Sequence, residues 1–301
     1  MHNKYLIVIV GPTAVGKTAL CVRLAAQFHT EIISADSRQF YHEMRIGTAK
    51  PNVEEMMGVK HYFVDDRSIK HEYNAGQFEK DALKIIHEIH ESKDIAFITG
   101  GSGLYIDAVC EGIDDIPSSP ELREELITQL EEHGLGKLTE ELKKSDPDYY
   151  QLVDLNNSHR VIRALEVTRL TGQTYSGFRK KNNISRPFTV LKIGLDRPRE
   201  ELYHRIDLRM DIMINEGLFD EAKKLYPYKS HNALKTVGYK EIFDYMDGQY
   251  DKEEAIRLLK RNSRRYAKRQ LTWFRKDAGI HWHHPDDIDK IIELINDKIS
   301  V

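Results

Sequence analysis

The stretch "YLIVIVGPTAVGKT" (Tyr5–Thr18) runs through six consecutive apolar residues straight into a glycine loop. Apolar side chains at every position, with isoleucine and valine dominant, mark a strand buried on both faces of a parallel sheet. The loop matches G-x-x-x-x-G-K-T, and "TALCVRLAAQF" continues with helical apolar spacing, so the motif has the strand–loop–helix setting it requires. Gly11, Pro12, Thr13, Ala14, Val15, Gly16, Lys17 and Thr18 therefore read as a phosphate cradle. The glycines let backbone N–H groups converge on phosphate oxygens, Lys17 adds a cation, the Thr18 hydroxyl suits Mg2+, and the helix N-terminus contributes its dipole. Such a cradle does not name a reaction. A nucleoside triphosphate whose terminal phosphoryl moves and a diphosphate that departs both fit it.

Outward from this unit the pattern repeats. "DIAFITGGSGLYIDAV" gives a strand near Ile95–Thr99, a Gly100–Gly101 turn and Ser102 opening a helix, which sets a second helix N-terminus at the strands' C-terminal edge. "FTVLKIGLD" (Phe188–Asp196) and "GIHWHH" (Gly279–His284) read as further strands separated by helices. The expected fold is α/β: a P-loop NTPase-like, doubly wound parallel sheet over residues 1–117 and 186–301. Residues 118–185 are charged and helical with no good strand, and are expected to form a small inserted helical domain. The histidines of "HWHH" lack a cysteine or paired carboxylates at ligand spacing and read as a strand end. Asp286–Asp287 is expected to cap the last helix, "DIDKIIELINDKI".

With 301 residues and 40% hydrophobic content the chain is long enough for one large and one smaller folded unit. A net charge of -3 does not call for a nucleic-acid partner, so the distribution decides. Between Ser118 and Asp148 there are nine acids and four bases, whereas Tyr149–Val190 has two acids and seven bases, so only the later half suits a phosphate backbone. Ile256–Lys276 has nine Arg and Lys and no acid. Arg257, Lys260, Arg261, Arg264, Arg265, Lys268 and Arg269 recur at steps of three and four, which on a helix makes a broad basic face beside Tyr266, Trp273 and Phe274. Cys21 and Cys110 form no C-x-x-C pair, which argues against a disulfide framework or zinc knuckle and for a reducing, cytoplasmic setting. The leading apolar run is too short for a signal segment or a membrane span.

"IISADSRQF" (Ile32–Phe40) starts as a buried strand and ends in acid, hydroxyl, base and amide. The residues alone leave Asp36 open as a general base or as a carboxylate holding Mg2+ through water. Gln39 has the chemistry to bond an adenine edge bidentately, and Arg38 to stack or meet phosphate.

Taken together, "GPTAVGKT", "ISADSRQFYHEMRIGTAKP", "GGSGLYI", "NSHRVIRALEVTRLTG", "HRIDLRMDIMINEGL", "LKTVGYKE" and "YAKRQLTWFR" resemble the tRNA dimethylallyltransferases, in family order over nearly the whole chain. The resemblance implies transfer of a dimethylallyl group from dimethylallyl diphosphate to N6 of the adenosine immediately 3′ of the anticodon. It also implies a P-loop core, an inserted domain that binds the tRNA anticodon stem-loop, and Mg2+ as cofactor. It selects Asp36 as the base, with Lys17, Ser102 and Arg209 completing the catalytic set. Asp36, Ser37, Arg38 and Gln39 would hold the extruded base, although family members vary at Arg38, and Ser102 stands where many have Thr. His159, Arg160, Val161, Ile162 and Arg163, together with Arg264, Arg265, Lys268 and Arg269, would meet the tRNA. No membrane and no obligate protein partner are expected, and the chain is expected to be a monomer. Two rival classes remain: a small-molecule P-loop kinase leaves the basic helix idle, and a non-catalytic RNA-binding NTPase leaves Asp36–Gln39 unexplained.

Overall fold

The structure, a computed structural model, describes residues 3–114, 116–179 and 184–300. Its chain divides into two compact units, Met1–Cys110 with Ser185–Val301, and Glu111–Ile184.

The larger unit is built on six parallel strands: β1 (Tyr5–Val10), β2 (Ile32–Ser34), β3 (His61–Tyr62), β4 (Ile95–Gly100), β5 (Thr189–Leu195) and β6 (Ile280–His283), in the order β3-β2-β4-β1-β5-β6. The run Tyr5–Val10 is β1, no residue of it more than 3% exposed, and it pairs with β4 and β5 over its full length. Its alternate side chains serve two cores. Leu6, Val8 and Val10 pack with Phe78, Ile86 and Ile106, while Tyr5, Ile7 and Ile9 pack with Leu20, Leu24 and Ile291. Full burial of each such aliphatic contributes about 1.5–3 kcal/mol, which is why β1 anchors the sheet and holds the loop that follows it.

Because β1 is central, its C-terminal end lies between those of β4 and β5. The Gly11–Thr18 loop leaves from there and enters the helix Lys17–Gln27 through Gly16, whose φ of 112° favours glycine. Asp287 stands at the N-cap of the last helix, Ile288–Ile299, but makes no capping bond. The expected cap is corrected: its carboxylate instead binds Lys290 at 2.9 Å and accepts the His284 N–H at 3.3 Å. The short edge strand β3 was invisible in the sequence because two residues carry no period.

The smaller unit is helical. Pro120–Ser145, broken at Gly134 (φ 74°), packs with Pro147–Leu152 and Ser158–Thr171 around Leu126, Leu138, Leu142, Tyr149, Val161 and Leu165. Two buried acids are fully partnered. Asp146 accepts from Tyr149, and from the Ser176 N–H and hydroxyl, while Glu166 accepts from Arg123 and the Ser119 N–H. Among the described residues no helix is long and apolar enough to cross a membrane.

Candidate active site

Three loops meet at the C-terminal edge of the sheet, and their side chains are tied to one another. The Gly11–Thr18 loop is gripped at consecutive residues from outside. Arg209 donates to the Thr13 hydroxyl, Arg205 to the Ala14 carbonyl at 2.9 Å, and Arg197 to the Val15 carbonyl at 2.9 Å. Arg205 and Arg209 lie one turn apart on the helix Arg199–Asn215, so one helix face supplies two of the three. Inside the loop, the Lys17 ammonium donates to the carbonyls of Gly11 (3.0 Å) and Pro12 (2.9 Å).

Asp36 follows Ala35 just beyond β2. The Ala35 N–H donates to Thr99 of β4 at 2.7 Å, and the Asp36 carboxylate accepts the Arg38 N–H at 3.0 Å, which fixes the turn. Ser102 closes the third side: its hydroxyl accepts the Ser37 N–H and donates to the Ser37 hydroxyl, both at 3.1 Å. The electrostatics couple these groups. Burial pushes Lys17 down to about 8, with Asp36 opposing the shift and Arg209 adding to it. Burial also lowers Arg209, again opposed by Asp36 and assisted by Arg205. Tyr266 is pushed up to about 12, first by burial and then by the Asp36 charge. Lys17, Asp36 and Arg209 thus feel one another: two cations and an acid stand together beside the Gly11–Thr18 loop.

Of the residues expected from sequence, the structure brings together the Gly11–Thr18 loop, Asp36, Ser37, Ser102 and Arg209. Arg38 lies close enough to Tyr41, Tyr105 and Tyr266 for its charge to be felt by each hydroxyl. Gln39 is engaged elsewhere. Its amide donates to the carbonyls of Thr48 (3.2 Å) and Ala49 (3.3 Å) and accepts from Ser34 (3.3 Å), so it braces the following turn. Glu221 holds the same turn by accepting the N–H groups of Arg45, Ile46 and Gly47.

The expected RNA-contacting residues divide sharply. On the helix Lys252–Phe274, Ser263, Ala267, Gln270 and Phe274 face the core, Arg265, Lys268 and Arg269 are exposed on the opposite side, and the intermediate flank is neutralised. Lys260 pairs with Asp211 at 2.6 Å, Arg257 with Glu254 at 2.6 Å, and Arg264 with both oxygens of Asp207. The broad basic face is corrected to a narrower free stripe, because Lys260 and Arg264 are balanced by acids of the helix Arg199–Asn215 and Arg257 by Glu254 of its own helix. In the helical unit His159 and Arg160 are exposed, but Val161 and Ile162 are core residues at 0% and 5% exposure. Arg163 reaches the Ile116 carbonyl and pairs with buried Glu166 at 3.0 Å. Those three side chains hold their unit together, which corrects the expectation that they meet a ligand.

Sequence reasoning missed Gln270, which is 6% exposed. Its amide oxygen accepts the Thr13 N–H at 2.8 Å and its nitrogen donates to the Gly101 carbonyl at 2.9 Å, tying the two glycine loops together. A polar residue on the apolar side of an amphipathic helix was the available signal.

The chain matches the IPP transferase family over residues 39–277. It is 53% identical to the tRNA dimethylallyltransferase of Cytophaga hutchinsonii, with 99% of this chain and 98% of that protein covered. It is 47% identical to tRNA dimethylallyltransferase 1 of Bacteroides fragilis over the whole of both. Among solved structures, the tRNA isopentenylpyrophosphate transferase of Bacillus halodurans superposes with a TM-score of 0.74 at 42% identity, covering 99% of this chain and 97% of that one. A eukaryotic dimethylallyltransferase acting on tRNA superposes with a TM-score of 0.75 at 31% identity, covering 90% of this chain and 69% of that one. With the family match spanning most of its length and relatives this similar end to end, the chain belongs to the IPP transferase family of prenyltransferases.

Proposed function

We propose that the chain transfers the dimethylallyl group of dimethylallyl diphosphate to N6 of the adenosine immediately 3′ of the anticodon in tRNA. The observation that carries this reading is the coupling of Asp36 to Lys17 and Arg209 at the end of β1 and β2. In the reaction the bond between N6 and the first prenyl carbon forms as that carbon's bond to the diphosphate oxygen breaks. The adenine amine is a weak nucleophile, since its lone pair is delocalised into the ring, so one N6 proton must leave. Asp36 takes it, a role that contributes about 10² to 10⁴ in rate. The electron pair leaves with the diphosphate, whose growing charge meets the loop amides, Lys17 and Arg209. Ser102 sets the Ser37 N–H and hydroxyl, and through them the turn that carries Asp36.

Mg2+ suits the same end of the site. It binds proteins mostly through one or two oxygen donors, phosphates and retained waters, so a dedicated cage is not required. No group of three or more ligating His, Cys, Asp or Glu exists among the described residues, and exposed Thr18 on the first helical turn supplies the hydroxyl that such a site uses. When bound, the ion would add positive charge at the departing diphosphate. The P-loop type of core, the glycine loop as diphosphate holder and the helical unit as reader of the anticodon arm, through exposed His159 and Arg160, belong to the same reading. Incubation with labelled dimethylallyl diphosphate and tRNA tests it: label in tRNA supports it, and label passing instead from ATP to an acceptor, or no transfer, refutes it.

A further inference from the structure

Trp273 stands out among the exposed hydrophobic side chains of the larger unit because it is both exposed and immobilised. Its indole is 39% exposed, lies on the helix Lys252–Phe274 three residues beyond Gln270, and donates its N–H to Asp107 at 2.9 Å. Its ring packs against Gly103, where a β-carbon would come within 2.2 Å of it. Only glycine there lets the indole settle beside Ser102, the residue whose hydroxyl holds Ser37. Leu104, the residue after Gly103, is 51% exposed. Beside Asp107, which accepts the indole N–H, the exposed charges nearby are cationic: Arg265, Lys268 and Arg269 stand on the outer side of the same helix, and Lys276, two residues past its end, sits 5.9 Å from the indole ring centre.

A fixed, exposed aromatic face among unpaired cations suits a nucleobase joined to phosphates. It does not suit an acidic peptide, which offers no flat apolar group to cover the ring. We infer that Trp273 is a stacking platform for one of the two bases flanking the reacting adenosine, and so helps keep that adenosine out of the strand. The inference rests on the function proposed above. Extruding a base leaves its neighbour without a stacking partner, and the indole replaces that partner one residue from the hydroxyl of Ser102.

The test is a coupling measurement with three anticodon stem-loops: one intact, and one abasic at each flanking position. Trp273→Ala should weaken binding of the intact stem-loop roughly fivefold to a hundredfold, the range measured for loss of one base–aromatic stack. On one of the two abasic stem-loops it should bind as the unsubstituted chain does, because the stack is already gone. No loss on the intact stem-loop, or an equal loss on all three, overturns the inference. Trp273→Phe keeps a ring on Gly103 and should recover most of the affinity, which separates stacking from damage to the fold. The chain has two tryptophans, so in a Trp282→Phe background the emission of Trp273 alone should be quenched by the intact stem-loop. Unchanged emission contradicts stacking. Prenyl transfer with no Trp273 coupling removes this inference alone, whereas absence of both transfer and stem-loop binding removes the proposed function with it.

Discussion

Gln270 and Thr13 are 257 positions apart in sequence, yet the glutamine amide oxygen accepts the threonine N–H at 2.8 Å. Its nitrogen meets Gly101 in the same stroke, so the loop proposed to hold diphosphate and the loop that presents Ser102 share one buried amide. Gln270→Ala leaves a backbone donor and a backbone acceptor buried without partners. We expect a loss of about 1–3 kcal/mol in urea unfolding, together with slower prenyl transfer. Unchanged stability would show that water replaces the amide at no cost.

Two glycines separate close packing from mere flexibility. A β-carbon on Gly100 would come within 2.3 Å of the Ala35 carbonyl, backbone against backbone, one residue before Asp36. Gly100→Ala should therefore destabilise the fold by about 1–3 kcal/mol and impair transfer more than that alone explains. Gly136, inside the helix Pro120–Ser145, has nothing within 4 Å of its would-be β-carbon. Gly136→Ala should raise stability by up to about 1 kcal/mol. Thermal unfolding of both variants checks the contrast.

Lys17 gives the pH dependence a sign. Burial disfavours its charged form, so in the donor-free protein it loses its proton near 8 instead of at its ordinary 10.5. A neutral amine attracts diphosphate less. The value of kcat/KM for the donor, which reports on groups of the free enzyme, should hold below that pH and decline as pH rises through it. A profile that stays level up to the ordinary lysine value of 10.5 would contradict the burial of this ammonium.

The free stripe and the neutralised flank of the basic helix should behave differently toward RNA. Replacing Arg265, Lys268 and Arg269 by glutamine should reduce the salt slope of tRNA binding by about two units, three charges at roughly 0.7 each. Replacing Lys260 and Arg264, which pair with Asp211 and Asp207, should leave the slope nearly unchanged. Titrations at several salt concentrations distinguish the two sets, and equal effects would mean that the ion pairs open on binding.

Much of this arrangement was legible in the sequence, for reasons that are local. The Tyr5–Val10 run and the Gly11–Thr18 spacing each specify their own conformation, so β1 and its loop were readable to the residue. Charge partners were not. Nothing near Arg264 in sequence discloses Asp207, 57 positions away, and nothing near Arg163 shows that Glu166 is buried and needs it. Gln39 shows the same limit: its amide has the chemistry to read an adenine edge, but the turn it closes on Thr48 and Ala49 exists only after folding.

The proton acceptor is the centre of the proposed chemistry, and single-turnover transfer with Asp36→Ala tests it most directly. We expect the chemical step to slow at least about a hundredfold while tRNA and donor still bind. A rate within a few fold of the unsubstituted chain, with both substrates bound, would mean that the N6 proton leaves by another route.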